Sequence, residues 1–513
     1  MNGAESLLTT LINNDVNVCF TNPGTSEMHF VAALDEVEGM RCVLCLFEGV
    51  ISGAADGYAR MARKPASTLL HLGPGLGNAL ANVHNAKKGY APMVNIVGDH
   101  ATYHLQYDAP LTSDIEGIAG PVSHWVHTSE APEDIARDTA EAVRQAGKNQ
   151  IATLMLPADV SWSDNPNGPE NSVDIGTLPL ASNDRIEEAV KILQSDGNCM
   201  IMIGGPEITK EIGLKASRLA RACGARICTD VFPTRQARGA GTAVIDRLPY
   251  LAEFAIDTLK DLNHLILIGA KSPVSFFAYP NLPSTLSPEN CDEHIVATPQ
   301  EDIEKALDSL LLRLNAEHIA PEVHPLNVHD RPAGDLDANS SAMTIAHFMP
   351  EGAIVTDEAI TSGIALAPFT ATARPHDWLN QTGGSIGWGL PAAVGAAIAC
   401  PDRKVICLEG DGSAMYTIQS LWTQAREGLN ITTIIYANRS YAILKAEYAN
   451  MGAGSPGPQA MAMIDIDRPT IDWIAMAKSM GVPAVAVETA EDFVKAMQNS
   501  AREPGPALIE VRL

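Results

Sequence analysis

Positive charge and aromatic side chains are both scarce in this chain of 513 residues: Lys and Arg number 35 against 61 Asp and Glu, for a formal net charge of −26, and Phe, Trp and Tyr make up 5%. That balance disfavours a nucleic-acid or anionic-membrane surface and promotes solubility. With 46% apolar residues and few aromatics, the core is built from Ala, Val, Ile and Leu, which suits α/β domains. No apolar run reaches the length that spans a bilayer, and the start Met1-Asn2-Gly3-Ala4-Glu5 lacks the basic region of a secretory signal, so a cytoplasmic protein is expected. A disulfide framework is missing as well: the nine cysteines are odd in number and lie mostly in apolar runs, which suits reduced thiols. Cys42 and Cys45 have redox or zinc spacing, but no second pair or His cluster completes a site. In a strand, positions i and i+3 face opposite sides, so core packing is expected of them.

A single core would be too large at this length, so two to four domains are expected. Residues 163–169 are rich in Asn, Pro and Asp, and residues 318–339 carry Pro321, Pro325, Pro332 and Gly334 with little periodicity. The predicted domains are 1–165, 178–315 and 340–513. In each, short apolar runs alternate with amphipathic patterns, with strands expected at 94–97 and 152–156, at 200–203 and 265–268, and at 405–408 and 431–437. Three doubly wound α/β domains with parallel sheets follow.

The densest signal lies between residues 405 and 440. Gly410-Asp411-Gly412-Ser413 follows one buried run and Asn438-Arg439-Ser440 follows another, with room for about one helix between them. A right-handed βαβ unit then sets Asp411 and Asn438 side by side at the carboxyl ends of parallel strands, where open α/β sheets bind ligands. A carboxylate beside an amide carbonyl is a hard-oxygen set for Mg²⁺, whose other positions go to water and phosphate oxygens. Gly412 and Ser413 open the following helix, whose free N–H groups and dipole favour a diphosphate. GDG alone is an ordinary strand-to-helix turn. GDG with Asn 27 positions beyond its Asp, each directly after an apolar strand, is far more specific.

In the first segment, residues 42–47 read as a strand running into Glu48, after which Gly and Ala recur at helical spacing through Arg60. Such a helix permits close contact with another, as at a subunit interface. Close packing would bury Glu48; alternatively the residue complements the helix dipole from the first turn. His71 follows an apolar run and precedes Gly73-Pro74-Gly75-Leu76-Gly77-Asn78, read as a glycine loop open to a ligand. It could orient a carboxylate or relay a proton, or simply bond to backbone. Thr25 could cap a helix beginning near Ser26-Glu27, since Thr is a common N-cap residue.

In sequence order, Asn22-Pro23-Gly24-Thr25, Glu48, Gly383-Gly384-Ser385-Ile386-Gly387 and the 410–438 block give the chain, over its full length, a resemblance to the thiamine diphosphate-dependent 2-oxo acid decarboxylase and acetolactate synthase superfamily. Locally it looks most like benzoylformate decarboxylase, through residues 51–59, Leu70-His71, Gly389-Leu390-Pro391-Ala392-Ala393 and Ser440-Tyr441. The resemblance implies a pyrimidine-binding, a central and a diphosphate-binding domain, with thiamine diphosphate and Mg²⁺ as cofactors. It implies that Glu48 hydrogen-bonds the aminopyrimidine, that Ile386 supports the bent cofactor and that the Gly384 carbonyl accepts from its exocyclic amine. Gly24, Thr361, Gly412, Ser413, Asn438 and Tyr441 would contribute to cofactor binding, and Asp411, Asn438 and the Ser440 carbonyl would hold the metal. Thr25 and His71 would face the substrate. Sites in this family lie between subunits, so a homodimer or homotetramer is implied, with a small 2-oxo acid as the partner molecule.

Several positions depart from the family pattern. Phe276 or Phe277 stands where benzoylformate decarboxylase has a second His, a loss expected to slow protonation and favour carboligation to a 2-hydroxy ketone. Leu111 replaces the Gln of acetolactate synthase, and Lys271-Ser272-Pro273-Val274 replaces its FAD-binding stretch, so FAD is not expected. Asp99-His100 and His104 invite comparison with the paired histidines of pyruvate decarboxylase but are expected to line the site at most. Glu447 falls where apolar pocket residues are usual, and is read as a surface charge or as a second polar group in an unusual pocket. A 2-oxo acid decarboxylase with carboligase activity leads; an acetolactate synthase-like enzyme without FAD and a non-catalytic cofactor-binding regulator are the alternatives. The presence of Glu48, Asp411 and Asn438 together argues against the regulator.

Overall fold

Aliphatic runs buried on both faces place parallel strands in the middle of each layer, with helices on either side. The computed structural model describes residues 1–195 and 197–513 and contains three such sheets. The first has six parallel strands in the spatial order Arg41–Leu44, Val18–Thr21, Ala66–Leu70, Met93–Asp99, Ile151–Pro157 and Trp125–Thr128. The second runs Asp246–Arg247, Arg226–Thr229, Cys199–Ile203, His264–Ile268 and Asp292–Ala297. The third runs Ala484–Val487, Ala507–Arg512, Ile431–Ala437, Val405–Gly410, Ala353–Glu358, His376–Asn380 and Arg235–Arg238. All seven expected strands are present, six of them within a residue or two of their expected bounds, while the one read over 42–47 runs from Arg41 to Leu44 and stops short of Glu48. The fold is α/β, with parallel pairing throughout except at one edge.

That edge strand, Arg235–Arg238, belongs in sequence to the second segment yet pairs antiparallel with His376–Asn380 of the third. Its residues, Arg-Gln-Ala-Arg, contain no apolar run, and Arg235 is tied to Glu207 and Asp377. The 318–339 connection is pinned on both sides: Val323 bridges Ala243, and Asp335 bridges Thr489. Asp337 caps the next helix, Ala338–Phe348, through its side chain.

The Gly and Ala spacing noted from Glu48 onward serves a contact inside the chain. Helix Glu48–Ala62 lies against helix Gly389–Ala399 so closely that a Cβ on Gly57 would meet the Ala392 carbonyl oxygen at 2.1 Å, and one on Gly395 the Ala54 oxygen at 1.8 Å. One apolar cluster runs through this contact, joining Val50, Ile51 and Ala54 to Trp388, Leu390 and Val394. Within it sits an ion pair. Arg60 Nε donates to Asp56 Oδ1 at 2.6 Å, with the two side chains 1% and 0% exposed. The Trp388 indole N–H donates to Asp56 Oδ2 at 2.6 Å, and Arg60 also donates to the carbonyls of Thr234 and Asn380 and to the Thr382 hydroxyl. One guanidinium thus reaches all three segments.

Replacing Arg60 with Ala leaves Asp56 buried without its cation, and is expected to lower stability by about 3–5 kcal/mol in denaturant unfolding. Gly57→Ala has no room for its methyl group, and a loss of about 1–3 kcal/mol is expected in the same measurement.

Candidate active site

At the carboxyl ends of the third sheet, Gly410 is in register with Tyr436, which brings Asp411 beside the turn containing Asn438. Asp411 is 3% exposed; its Oδ1 accepts from its neighbour Gly412 N at 2.9 Å and its Oδ2 from Arg439 N at 2.6 Å. Burial raises its carboxyl above the usual range, and these donors oppose the rise. Asn438 Oδ1 accepts from Ser440 N at 3.0 Å. Both oxygens retain lone pairs for a hard cation, so the donor set fits Mg²⁺. The helix expected after Asp411 is broken into a single turn, Asp411–Ala414, and a second piece, Ser420–Arg426. Its macrodipole is correspondingly small and Gly412 N already donates to Asp411, so the backbone N–H of Ser413 is what remains of this turn for an anion. The Tyr441 ring fills the space where a Cβ on Gly412 would stand, at 2.3 Å from Cε1. Thr361 lies in a short 3₁₀ turn, Ile360–Gly363, whose first residue is held at φ +48°.

A second buried carboxylate fixes the glycine-rich loop. Glu358, at the end of its strand, accepts from Gly387 N at 2.8 Å through Oε1 and from Trp388 N at 2.8 Å and Gly389 N at 2.7 Å through Oε2, capping helix Gly389–Ala399. Burial still pushes its carboxyl up to about 7. Its register neighbour Glu409 is raised well above the ordinary range by burial and by the nearby Glu358. Gly384, with φ +79°, has Phe276 against it: a Cβ there would meet the ring tip at 2.6 Å.

In the first sheet Glu48 opens its helix half-buried rather than buried, and Oε2 accepts from the Asn78 amide at 3.0 Å. Asn78 belongs to helix Leu72–Lys88, so residues 73–78 are helical and not the open loop expected; His71 is the residue before that helix. His71 Nδ1 lies 2.8 Å from Oε2 of Glu27, which is fully buried and also accepts from Gly24 N at 2.8 Å. Burial raises the Glu27 carboxyl, and His71 pulls it back down. Gly24 and Gly98 supply the space for the pair, since a Cβ on either would strike His71 or Glu27. Thr25 is exposed at the start of the turn Thr25–Glu27, whose cap is Gly24, so the helix-capping role does not hold.

The loop carrying Gly384 and Ile386 joins these two halves. The Gly387 carbonyl accepts from Asn82 of the first segment at 3.1 Å and from Thr417 of the third at 3.0 Å, while Asn82 also donates to Gly49 O at 2.8 Å. Asn85 donates to the Ser385 carbonyl at 2.8 Å. Glu48 and His71 both approach Gly75, within 3.5 Å of its Cβ position. His100 and His104 meet with ring centroids 5.4 Å apart beside Asp99. Lys271 holds its amine 5.4 Å over the Tyr90 ring. Cys42 faces Cys19 on the neighbouring strand, and all nine thiols are free. Glu447 is not a surface charge: it is 8% exposed, and its Oε1 accepts from the Tyr250 and Tyr279 hydroxyls, each at 3.2 Å. Glu27, Glu358 and the phenols facing Glu447 are the buried polar groups of this region that the sequence motifs did not single out.

The chain is similar to known proteins from end to end. Residues 1–121 match the N-terminal TPP binding domain of thiamine pyrophosphate enzymes and residues 361–511 the C-terminal TPP binding domain. A protein of Mycobacterium tuberculosis with the provisional name acetolactate synthase large subunit IlvX is 52% identical over 100% of this chain and 99% of its own. Benzoylformate decarboxylase of Pseudomonas aeruginosa is 28% identical over 98% of this chain and 97% of its own. The solved thiamine diphosphate-dependent 4-hydroxybenzoylformate decarboxylase of Rhodococcus jostii RHA1 superposes with a TM-score of 0.85 at 24% identity, covering 100% of this chain and 99% of that one. With both cofactor-binding domains matched in order and a relative at 52% identity from end to end, the chain belongs to the thiamine pyrophosphate-dependent enzymes.

Proposed function

We propose that this protein is a thiamine diphosphate- and Mg²⁺-dependent enzyme that decarboxylates a 2-oxo acid and can ligate the remaining fragment to a second carbonyl, giving a 2-hydroxy ketone. The observation that supports this reading is the Gly387 carbonyl, which takes donors from Asn82 and Thr417 and so links the Glu48 helix, the Gly384 loop and the segment that follows the Asp411 turn. Asp411, Asn438 and the Ser440 carbonyl would hold Mg²⁺, and Thr361, Gly412, Ser413 and Tyr441 would surround the diphosphate. Ile386 and the Gly384 carbonyl would support the rings. The bound cofactor supplies the electron sink that accepts the pair released as CO₂ leaves.

The chain's own groups would then orient and transfer protons. Glu48 would hydrogen-bond the aminopyrimidine ring, with Asn78 fixing its carboxylate. Because Glu27 occupies Nδ1 of His71, Nε2 is the atom available to exchange a proton with a substrate oxygen. Thr25, exposed nearby, would contribute a hydroxyl to the same region. Phe276 against Gly384 brings an apolar ring in place of a second proton relay, which favours ligation over protonation. The 52% relative supports a second reading, an acetolactate synthase-like condensation without FAD.

A homodimer or homotetramer is the proposed active form. Ile360, Ile364, Met415, Tyr416 and Leu444 are exposed around the third-sheet residues, and Leu46, Tyr103, Tyr107 and Leu111 on the first segment, leaving apolar surface on both faces that a second copy would cover. Sedimentation should therefore give at least a dimer, and a monomer would remove this part of the reading.

Incubation of the loaded protein with pyruvate, benzoylformate and other 2-oxo acids should release CO₂, and Glu48→Gln should abolish the release. An aldehyde as sole product supports a plain decarboxylase; acetolactate from pyruvate supports the synthase. Thiamine diphosphate binding without turnover of any acid would overturn both. Glu27→Gln is expected to lower kcat/KM on the order of 10²-fold, the scale of one general acid–base contribution, without loss of cofactor binding.

A further inference from the structure

Helix Ala442–Asn450 buries only one of its residues, and that residue is Glu447. Leu444 on the same helix is exposed. An ordinary amphipathic helix does the reverse, because burying a carboxylate requires compensating donors while exposing leucine forgoes burial. Two donors are present on Oε1, the hydroxyls of Tyr250 and Tyr279, both from the second segment. Burial and the Glu447 carboxylate push the Tyr279 phenol up to about 12, and the same causes raise Tyr250, so both are protonated donors at neutral pH. Oε2 of Glu447 is buried and has no donor. Carboxylates accept several hydrogen bonds, and an enclosed oxygen with none is the costly half of such an arrangement.

The group is continuous with the cofactor loop. Phe276 touches the Gly384 position with its ring tip, stacks at 5.5 Å between centroids on Tyr250, and adjoins Phe277 at 5.0 Å; Phe232 closes the cluster at 6.1 Å from both Tyr250 and Phe276. Tyr441, which packs on Gly412, immediately precedes the Glu447 helix. An apolar aromatic wall thus leads from Gly384 to a carboxylate with one vacant oxygen.

We propose that Glu447 recognises a hydrogen-bond donor, a hydroxyl or an ammonium-type group, at the far end of the substrate's side chain, with Tyr250 and Tyr279 holding the carboxylate and Phe276 contacting the apolar stem. The proposal rests on the 2-oxo acid reading and narrows it to polar-tipped acids. A substrate donor would complete the acceptor that the protein leaves open, whereas an all-carbon side chain would bury it permanently.

The test compares matched acids: 4-hydroxyphenylglyoxylate against phenylglyoxylate, and 5-guanidino-2-oxopentanoate against 2-oxohexanoate. Wild-type holoenzyme should favour a donor-bearing member by about tenfold or more in kcat/KM, and the pair that shows the preference distinguishes hydroxyl from cation. Glu447→Gln, close in shape, should shrink that ratio, Glu447→Leu should invert it, and Tyr250→Phe should reduce it while leaving the fold intact. Thermal shift with the same acids gives a readout independent of turnover. Donor-specific, Glu447-dependent stabilisation without CO₂ release would sustain the pocket and overturn the decarboxylase reading. CO₂ release with equal kcat/KM for both members of each pair, or a ratio untouched in Glu447→Leu, would overturn the pocket alone. Neither turnover nor donor-specific stabilisation would overturn both.

Discussion

Everything else in the molecule depends on a guanidinium that is taken out of water. Arg60 and Asp56 are one helical turn apart, and their isolation from solvent is tolerable only because every polar atom involved is given a partner: the Trp388 indole on the carboxylate, and the carbonyls of Thr234 and Asn380 on the guanidinium. Those partners come from the second and third segments of the chain. The pair therefore specifies a relative placement of domains, where a purely apolar contact would tolerate sliding. The close crossing at Gly57 and Gly395 adds a steric constraint to the electrostatic one.

With the domains locked, short-range geometry builds the site. Three non-glycine residues are held in the left-handed region beside candidate functional groups, Leu72 after His71 at φ +53°, Ile360 before Thr361 at φ +48° and Arg439 between Asn438 and Ser440 at φ +58°. Each costs on the order of 1–3 kcal/mol. Packing holds the strain at Leu72, which is fully buried; Ile360 is exposed, and its place is set by the backbone between the strand that ends in Glu358 and the turn Ile360–Gly363. Glu358 in turn spends its carboxylate on three successive backbone N–H groups, which sets the path of the chain from Gly387 into the following helix.

Much of this was legible in the sequence because it depends on local pattern. Period and apolar runs locate the parallel strands, and the spacing from Asp411 to Asn438 encodes adjacency at strand ends. What escaped was set by distant partners. Arg235–Arg238 has no apolar run, so its pairing with His376–Asn380 carries no periodic signal. Glu27 lies 44 positions from His71, and nothing around it announces burial. Glu447 looked like a solvated charge because helices usually turn charges outward; only the fold brings Tyr250 and Tyr279, 197 and 168 positions away, onto it. Residues 73–78 misled in the opposite direction, since Gly and Pro suggest a loop, yet Pro is tolerated in the first turn of a helix.

The shared core has a consequence for how the chain is made. The face that helix Glu48–Ala62 turns toward helix Gly389–Ala399 has no cover until residues some 330 positions later leave the ribosome. At a synthesis rate of about 5–20 residues per second that interval is roughly 15 to 70 seconds. Throughout it, Gly, Ala and Ile surfaces and the Arg60–Asp56 pair stand without their final neighbours. The length of that interval is therefore set by the order of the segments along the chain, and a rearrangement that moved residues 389–399 nearer the start would shorten it.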